Sequence, residues 1–222
     1  MDRRAYDQFC ALAVALDHIG DRWTLLVIRE LLLGPKRYTD LRQGLPGIAA
    51  NLLARRLRTL EEDGLVRRRR LPPPAASTIY ELTDRGRELE PALLILMRWG
   101  SHWMTRPAEG SVLRASWFAL ALKSLVEPGD LAGIRADFEL VAGDEVIGLR
   151  VADGDLGVEA SAVPQPDARL IADAGTLFRV ASGNASLEEE IAAGRAQVEG
   201  DAEGRRLLER TLAFPRTRLG GS

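Results

Sequence analysis

The sequence predicts an α+β chain of two domains, the first mainly helical and the second containing a mainly antiparallel sheet. Apolar residues recur with helical spacing between residues 5 and 64, and they alternate with polar residues between 134 and 160. Charge is divided too: residues 1–106 hold 18 Lys+Arg against 13 Asp+Glu, whereas residues 107–222 hold 12 against 19. We therefore expect a basic domain over 1–106 and an acidic domain over 111–214, joined by a linker at Arg106–Gly110.

Three helices are predicted before residue 45. The first spans residues 5–18 and ends at Gly20, after which Asp21 is well placed to cap the second helix. The second helix, Arg22–Leu33, is apolar nearly all round, which predicts a buried central helix. Tyr38–Gly44 forms a short third helix.

The next segment predicts a helix with two different faces, followed by a basic strand. The spacing of a buried stripe is followed by Leu53, Leu57, Leu60 and Gly64, the last of which suits the left-handed residue that ends a helix. The polar stripe consists of Asn51, Arg55, Arg58 and Glu62, with Arg56 beside it. An extended run then ends in four arginines, Arg67–Arg70.

This combination of helix and strand suits duplex DNA. A helix of about 10 to 12 Å diameter fits the major groove, where arginine can bond guanine and asparagine can bond adenine. The arginine run can neutralise neighbouring phosphates. The alternative is an ordinary surface helix whose arginines are only solvated.

Residues 65–82 predict a hairpin, or wing, beside that helix. Prolines at 72–74 cannot continue the arginine strand, and Ser77–Leu82 returns as its partner. Alternation places the odd-numbered arginines of the run on one side and the even-numbered ones on the other, so only part of the set can reach one phosphate strand.

A last helix of the first half is predicted from its cap Thr83 to about Met104. One apolar stripe consists of Leu89, Leu93, Leu96, Gly100 and Trp103, and a second consists of Ala92, Ile95 and Trp99. Because one stripe is enough to pack on its own domain, the second predicts contact with a partner subunit or with the second half of the chain.

Seven segments of the first half, taken in order along the chain, resemble those of one known family. They are Asp17–Leu26, Arg29–Pro35, Leu45–Ile48, Leu52-Leu53, Arg56-Leu57, Leu60–Val66 and Tyr80–Thr83. On these segments, residues 10–100 resemble the HxlR-type branch of winged-helix transcriptional regulators, which is related to the MarR group. The resemblance implies a homodimer that binds operator DNA through two recognition helices, with dimer contacts from the first and last helices of the domain. Ala49-Ala50 stands where a polar Ser-Pro-like start is usual, which weakens the helix cap.

We therefore expect a winged helix-turn-helix domain for DNA binding and dimerisation in a sequence-specific transcriptional regulator. Its partner is double-stranded operator DNA. The expected DNA contacts are Thr39, Ala50, Asn51, Arg55, Arg56, Arg58, Arg67, Arg68, Arg69, Arg70 and Ser77.

Cys10 has two interpretations. It takes the position, before the Asp-x-x-Gly-Asp-Arg-Trp stretch, of a cysteine with which some HxlR-type proteins sense oxidants or electrophiles. Alternatively it is a small buried residue at a helix interface, since no Lys, Arg or His follows within one helical turn to lower its pKa. As the only cysteine, it allows no intrachain disulfide and no cysteine-rich zinc site.

The second half predicts a helix at Val112–Val126, a three-stranded meander and a mixed tail. The meander strands lie near residues 134–140, 147–151 and 156–160, with turns at Gly143-Asp144 and Asp153-Gly154. The tail elements are strand Ala168–Ala172, helix Ala174–Ala181, helix Leu187–Ala193, strand Ala196–Glu199 and helix Ala202–Phe214.

The tail segments Asp173-Ala174 and Ala193–Asp201 are similar to the end of the sterol carrier protein type-two-like fold, and the similarity covers about residues 111–214. Those domains hold a sheet against helices around an apolar tunnel for a lipid or another hydrophobic molecule. The resemblance implies a hydrophobic small-molecule effector, whereas the residues by themselves favour an ordinary core, which any domain of sheet and helices needs. The residues concerned are Trp117, Phe118, Phe138, Leu140, Leu149, Val158 and Phe178.

The sequence offers no paired nucleophile and base, no set of metal ligands and no phosphate-binding glycine loop. We therefore expect no enzyme activity, no cofactor and no metal. Without an apolar run of eighteen residues or a signal-peptide core, we expect a cytoplasmic protein with no membrane partner. In the rival interpretation the second domain is a ligand-free dimerisation or protein-interaction module, and regulation acts through Cys10 or uses no effector.

Overall fold

The computed structural model describes residues 5–74, 76–104, 111–127, 129–181 and 184–213, and these fall into two units that divide between Leu93 and Leu94. The elements of the first unit are α1 (Ala11–Ile19), α2 (Thr24–Leu32), β1 (Lys36–Arg37), α3 (Tyr38–Gly44), α4 (Ala50–Glu62), β2 (Val66–Arg70), β3 (Thr78–Leu82) and α5 (Asp84–Arg87). The division falls within α6 (Glu90–Ser101). The second unit continues with α7 (Ala115–Leu125), β4 (Ala136–Ala142), β5 (Glu145–Ala152), β6 (Asp155–Glu159), β7 (Ala168–Ala172), α8 (Ala174–Ala181), α9 (Leu187–Ala192), β8 (Ala196–Gly200) and α10 (Ala202–Ala213). Within those ranges no helix is long and apolar enough to cross a membrane. The predicted linker at 106–110 and Phe214 lie outside the described residues.

The first two helices begin later than predicted. α1 starts at Ala11, because Asp7 has a left-handed backbone (φ 52°) and Cys10 is extended (φ −137°), and neither conformation continues a helix. α2 starts at Thr24, because Trp23 has a φ of 80°. The prediction that Asp21 caps α2 is wrong, since Trp23 occupies the cap position without a side-chain hydrogen bond.

α2 is the central helix of the first unit, as its apolar sequence predicts. Its residues Val27, Ile28 and Leu31 are fully buried. They lie in one core with apolar residues of α3 and α4, including Leu41 and Leu53. Burial of a side chain of this size contributes roughly 1.5 to 3 kcal/mol, so the packing of α2 holds the helix-turn-helix arrangement in place.

The wing is a three-stranded antiparallel sheet of order β1-β3-β2. Between β2 and β3, Val66 lies opposite Leu82 and Arg69 lies opposite Ile79, which confirms the predicted hairpin. The third strand, β1, was not predicted, because two residues are too few to show an alternating pattern. Thr83 closes the wing: it accepts the backbone N–H of Gly86, as expected of a cap, and donates its hydroxyl to the carbonyl of Gly64.

The helix predicted from Thr83 to Met104 is two helices, α5 and α6. Pro91 explains the interruption, because proline has no backbone N–H and its ring clashes with the carbonyl four residues before it. Proline is tolerated only in the first turn of a helix, and α6 begins at Glu90, one residue before Pro91.

The second unit contains a five-stranded sheet of order β6-β5-β4-β7-β8. β4 and β7 are parallel and the other neighbouring pairs are antiparallel, so the sheet is mainly antiparallel as predicted. The turn from β5 to β6 has positive φ at both Asp153 (54°) and Gly154 (83°), the backbone of the tight hairpin turn that this dipeptide favours.

One face of this sheet is apolar. Phe138 lies opposite Leu149 on β5 and Ala168 on β7, and all three are buried. α7 packs against β4, β5 and β6, while α10 packs against β4, β7 and β8. The other face carries ion pairs such as Arg150 with Asp137. The period-two pattern of the sequence therefore places its apolar residues on one side of the sheet.

A buried carboxylate connects the last elements of the second unit. Glu190 on α9 is 1% exposed and accepts hydrogen bonds from Arg179 of α8 (2.9 and 3.0 Å) and from Arg195 (2.5 Å). Hydrogen bonds from Arg179 and then Arg195 lower the pKa of Glu190 from 4.5 to about 2. Both arginines also favour the charged carboxylate electrostatically, so the cluster is built around an ionised Glu190.

Glu190→Gln is expected to lower the urea midpoint of the second unit at neutral pH. Because the folded pKa lies below the ordinary value, this carboxylate stabilises the fold fully above pH 4.5, and the stabilisation disappears as pH falls towards about 2. The difference in the free energy of opening between variant and parent should therefore narrow across that interval. Amide hydrogen exchange in α8 and β8 measures this free energy. The matched control is Glu188→Gln, an exposed position of the same helix. A difference that stayed constant between pH 7 and pH 2 would contradict the prediction.

Candidate nucleic-acid interface

α4 has the two faces that its sequence predicts. Leu53, Leu57 and Leu60 are at most 1% exposed and pack in the core. The opposite face is exposed and carries Asn51, Ala54, Arg55, Arg58 and Glu62. This face offers an amide and two guanidinium groups, which together can donate hydrogen bonds to base edges and phosphates.

The two arginines of the exposed face make no ion pair within the described part of the chain. Neither Arg55 nor Arg58 has a carboxylate within ion-pair distance among those residues, whereas many other arginines are paired. Guanidinium groups carry five N–H donors in a planar fork. The donors of Arg55 and Arg58 are therefore available for a ligand, and no ion pair with another described residue has to be broken first.

The first turn of α4 lacks a side-chain cap, as Ala49-Ala50 predicts. Ala49 is the cap residue and makes no side-chain hydrogen bond. Tyr38 of α3 instead donates its hydroxyl to the carbonyl of Ala50 (2.7 Å), which fixes the start of α4 against α3. Thr39 lies exposed on α3 and donates to Asp40 (3.2 Å).

The wing adds a second set of positive charges. Arg67 and Arg69 share Glu81 of β3, with Nε–Oε1 distances of 2.8 and 3.2 Å. Arg68 lies 3.8 Å from Glu61, and the exposed Arg70 makes no ion pair within the described ranges. The guanidinium groups of the odd-numbered pair therefore lie on the side of Glu81, in agreement with the predicted alternation.

Glu81 fixes the orientation of two wing arginines. Its burial raises the pKa of the carboxyl, but hydrogen bonds from Arg69 and Arg67 more than offset this effect, and the pKa lies below its usual range. The side chains of Arg67 and Arg69 are still 67% and 51% exposed. They can therefore meet a phosphate while Glu81 restricts their motion.

Two of the residues predicted to contact DNA lie apart from this surface. Arg56 faces the interior of the first unit, where its side chain is only 10% exposed and pairs with Asp21. The hydroxyl of Ser77 is buried and makes no hydrogen bond in the described part of the chain. The exposed set is accordingly Thr39, Ala50, Asn51, Arg55, Arg58 and Arg67–Arg70.

A buried ionic cluster supports the helix-turn-helix, and the sequence prediction missed it. Glu30 of α2 is fully buried, accepts Lys36 Nζ (2.7 Å) and accepts Arg29 through both Nε and Nη2 (3.2 and 2.8 Å). Gly44 at the end of α3 packs on it so closely that a Cβ there would lie 2.3 Å from Glu30 Oε2. The available signal was a single acidic residue, next to Arg29, in a mostly apolar helix.

The residues predicted to bind a hydrophobic ligand lie in or beside the core of the second unit. Phe138, Leu140 and Leu149 are fully buried between the sheet and its helices, and Val158 is nearly so. The half-buried members of the set are Trp117, Phe118 and Phe178. Packing explains the positions of these residues without a ligand.

Two depressions of the second unit lie elsewhere, and each is lined by a mixture of polar and apolar groups. The larger, of about 420 Å³, is lined by Gly129, Ala132, Gly133, Ile134, Arg135, Asp153 and Gly154. The smaller, of about 240 Å³, is lined by Arg135, Ala136, Asp137, Arg150, Val151, Ala152 and Asp167. Neither depression is lined by any residue of the predicted ligand set. Among the residues that the structure describes, no group of three or more His, Cys, Asp and Glu side chains could hold a metal ion.

Cys10 is exposed in a single copy of the chain. The backbone N–H groups of Ala13 and then Leu12, in the first turn of α1, lower the pKa of the Cys10 thiol. Sequence reasoning considered only charged neighbours and missed this effect, because free N–H groups at a helix start also favour an anion.

Apolar side chains are exposed on both helices that the resemblance assigns to dimer contacts. On and before α1 these include Phe9 (110%), Leu12 (67%) and Val14 (48%). On α6 the exposed residues are Ile95, Leu96 and Trp99, and Trp103 follows the helix with its ring centroid 4.5 Å from that of Trp99. Exposed apolar surface of this kind is typical of protein interfaces.

Comparison with known families matches the two halves of the chain separately. Residues 18–108 match the HxlR-like helix-turn-helix family, and residues 120–213 match the SCP-2 sterol transfer family. The first match contains the exposed face of α4 and the wing, and the second contains the five-stranded sheet.

Individual relatives match over less than half of the chain. An uncharacterized HTH-type transcriptional regulator of Synechocystis is 37% identical over 95 residues, which are 43% of this chain and 70% of that protein. The HTH-type transcriptional regulators YvaP and YodB of Bacillus subtilis are 33% and 34% identical, over 40% of this chain and 83% and 80% of their own lengths. Among solved structures, the reduced form of YodB is 32% identical, covers 43% of this chain and 95% of its own, and has a TM-score of 0.39.

Proposed function

The chain belongs to the HxlR-like helix-turn-helix family of transcriptional regulators, and we propose that it binds a specific operator as a homodimer. In this proposal α4 enters the major groove, and the wing lies along the neighbouring phosphates. The observation that carries the proposal is the exposed face of α4, on which Asn51, Arg55 and Arg58 lie opposite a buried leucine stripe. The two arginines have no competing ion pair in the described residues.

The proposed contacts divide into two kinds. Asn51, Arg55 and Arg58 can bond base edges, since arginine pairs with guanine and asparagine with adenine in the major groove. Arg67–Arg70 can neutralise phosphates, which contributes affinity but little sequence preference. Arg56 and the Ser77 hydroxyl are not part of this proposal, because both are buried.

Dimerisation is proposed on the exposed apolar residues of α1 and α6. A monomer would leave Phe9, Leu12 and Trp99 in water, and a second copy of the chain would bury them. A twofold dimer presents two copies of α4, which suits a pseudo-palindromic operator with half-sites about 34 Å apart, one turn of DNA.

The second unit is proposed to bind a hydrophobic small molecule rather than to act as an enzyme. The match of residues 120–213 to the SCP-2 sterol transfer family supports this, as does a sheet whose apolar face is covered by α7 and α10. A ligand regulates DNA binding only if it binds the two states of the dimer unequally, and a coupling of roughly 1 to 3 kcal/mol is ordinary.

A second mode of regulation is proposed for Cys10. Its exposure and its lowered pKa favour a thiolate that an oxidant or an electrophile can reach. In that case the second unit would serve as a ligand-free interaction module.

The DNA-binding proposal is tested by enriching duplexes from a random pool with the intact protein. We expect one pseudo-palindromic sequence to be enriched, and its binding to weaken steeply as salt concentration rises. Enrichment of no sequence, together with binding that is insensitive to salt, would reject the proposal.

The two modes of regulation are separated by titrating the bound operator with different reagents. A hydrophobic effector predicts that sterols or other lipids displace an apolar probe dye from the protein and change operator affinity by roughly 5- to 150-fold. The Cys10 mode predicts that peroxide or a quinone releases the operator and that Cys10→Ser prevents this release. If neither treatment changes operator binding, both modes are wrong.

A further inference from the structure

Arg56 is the residue of α4 whose place in the structure differs most from its expected role. Its side chain is only 10% exposed and lies on the side of the helix that faces the core. Nη1 donates to the carboxylate of Asp21, and Nε is buried with no hydrogen-bond partner among the described residues. The guanidinium is thus held by one carboxylate and cannot reach DNA from this position.

Asp21 lies in the loop between α1 and α2, thirty-five positions earlier in the chain. Its carbonyl accepts the backbone N–H of Thr24 (3.1 Å), and two residues after Asp21 the chain adopts the left-handed backbone of Trp23. The loop is therefore held in one conformation by the start of α2. Because this loop is bonded to α2, which is the buried centre of the unit, the position of the Asp21 carboxylate beside α4 is fixed.

Arg56 lies in the middle of α4, and a second contact joins the C-terminal end of this helix to the end of α1. His18 Nδ1, near the end of α1, lies 3.1 Å from Oδ2 of Asp63, the residue that ends α4. Arg56 and Asp63 are seven residues apart, which corresponds to about 10 Å along a helix. Contacts at two separated points fix the tilt of a helix as well as its position.

The pair of Arg56 and Asp21 is not explained by stability. Moving the Arg56 guanidinium out of water is costly. Its partner Asp21 is 62% exposed, so solvent screens the attraction that would offset this cost. The cost is larger here because no described residue offers a hydrogen-bond acceptor to the buried Nε. A methionine or leucine at this position would extend the existing stripe of Leu53, Leu57 and Leu60.

We propose that Arg56 is a positioning residue for DNA recognition: its bond to Asp21 sets the orientation of α4, so that Arg55 and Arg58 reach their bases. The inference rests on the proposed binding of α4 to DNA. Arg56 itself touches no DNA in this account, and Asp21 contributes only through Arg56.

The test compares Arg56→Met with Arg55→Met on the duplex that the unchanged protein enriches from a random pool. Arg56→Met should bind this duplex about tenfold more weakly, within the range of coupling between contacting residues. Its thermal midpoint should be unchanged or raised, and its dependence of affinity on salt should equal that of the parent. Arg55→Met is the matched control: if Arg55 meets a phosphate, the salt slope falls by about one, and if it reads a base, the preference for that base is lost.

Asp21 provides a second test that leaves the core composition unchanged. Asp21→Asn should weaken binding in the same direction, while Asp21→Glu, which keeps the carboxylate, should restore most of the affinity. The double variant Arg56→Met/Asp21→Asn should bind no more weakly than Arg56→Met alone, because the two residues act through one bond.

Three outcomes would overturn the inference. They are parent-like affinity of Arg56→Met, a reduced salt slope in that variant, and a loss of affinity matched by an equal loss of stability. The first removes the positioning role, the second assigns Arg56 to a phosphate, and the third makes it merely structural. If the unchanged protein enriches no duplex, or if Arg55→Met changes neither affinity, salt slope nor base preference, the proposed use of α4 fails instead.

Discussion

Glu30→Leu is expected to destabilise the first unit by about 3 to 5 kcal/mol, the ordinary cost of breaking a buried ion pair by removing one partner. The carboxylate is fully buried and accepts hydrogen bonds from Arg29 and Lys36, whose side chains are 15% and 13% exposed. Without Glu30, two mostly buried cations lose the carboxylate that both of them bind. Leucine fills part of the volume but can accept no hydrogen bond.

The loss should be measured locally, because a chain of two units need not unfold in one step. Amide hydrogen exchange of α2 reports the opening of the first unit directly. Glu62→Leu is the matched control, since Glu62 is exposed on α4 and surface changes usually stay within about 0.5 kcal/mol. Parent-like protection of α2 in Glu30→Leu would mean that the buried cluster contributes no net stability.

Arg55→Ala/Arg58→Ala is expected to weaken operator binding by roughly thirtyfold or more, since each arginine that reads a base contributes about 1 to 3 kcal/mol. Both side chains are exposed on α4 and lack ion pairs in the described residues, so their removal should leave the fold intact. Fluorescence anisotropy with the enriched duplex and with a scrambled duplex measures the loss and its sequence dependence.

The pattern of losses identifies the contact. A greater loss on the operator than on the scrambled duplex assigns the arginines to bases, and equal losses with a reduced salt slope assign them to phosphates. Arg206→Ala, which removes an exposed arginine from the second unit, is the control for charge alone. If the double variant bound the operator as the parent does, α4 would not be the reading element.

Local patterns predicted the elements that carry the proposed site. The spacing of Leu53, Leu57 and Leu60 was sufficient to orient α4, because a helix repeats its faces regularly and these leucines had to be buried. The alternation of apolar and polar residues in β4 and β5 likewise predicted which side of the second sheet is apolar, because successive side chains of a strand point to opposite faces. Both signals lie within a few neighbouring residues.

The sequence prediction failed where a distant partner decides the outcome. At 100° per residue, Arg56 lies about 60° from Leu53, which is the edge of the buried stripe rather than the polar face. Arginine is rarely buried without a partner, so its charge suggested the surface. The compensating Asp21 lies thirty-five residues away, and no local pattern could link the two.

Glu30 and Lys36 illustrate the same limit. An acidic residue in an apolar helix and a lysine in a two-residue strand have no local relation, and only the assembled first unit brings them within 2.7 Å. The break between α5 and α6, in contrast, could have been predicted from Pro91 alone. The pattern of apolar stripes outweighed this signal in the sequence prediction.

The central claim is that two copies of the chain present two α4 helices to one operator. The most direct measurement is a footprint of the intact protein on the enriched duplex, combined with the mass of the complex from analytical ultracentrifugation. The account predicts two protein chains per duplex and two protected major-groove segments centred about 34 Å apart. One chain per duplex with a single protected segment would contradict it. So would a footprint that is altered by substitution of the wing arginines but not by substitutions in α4.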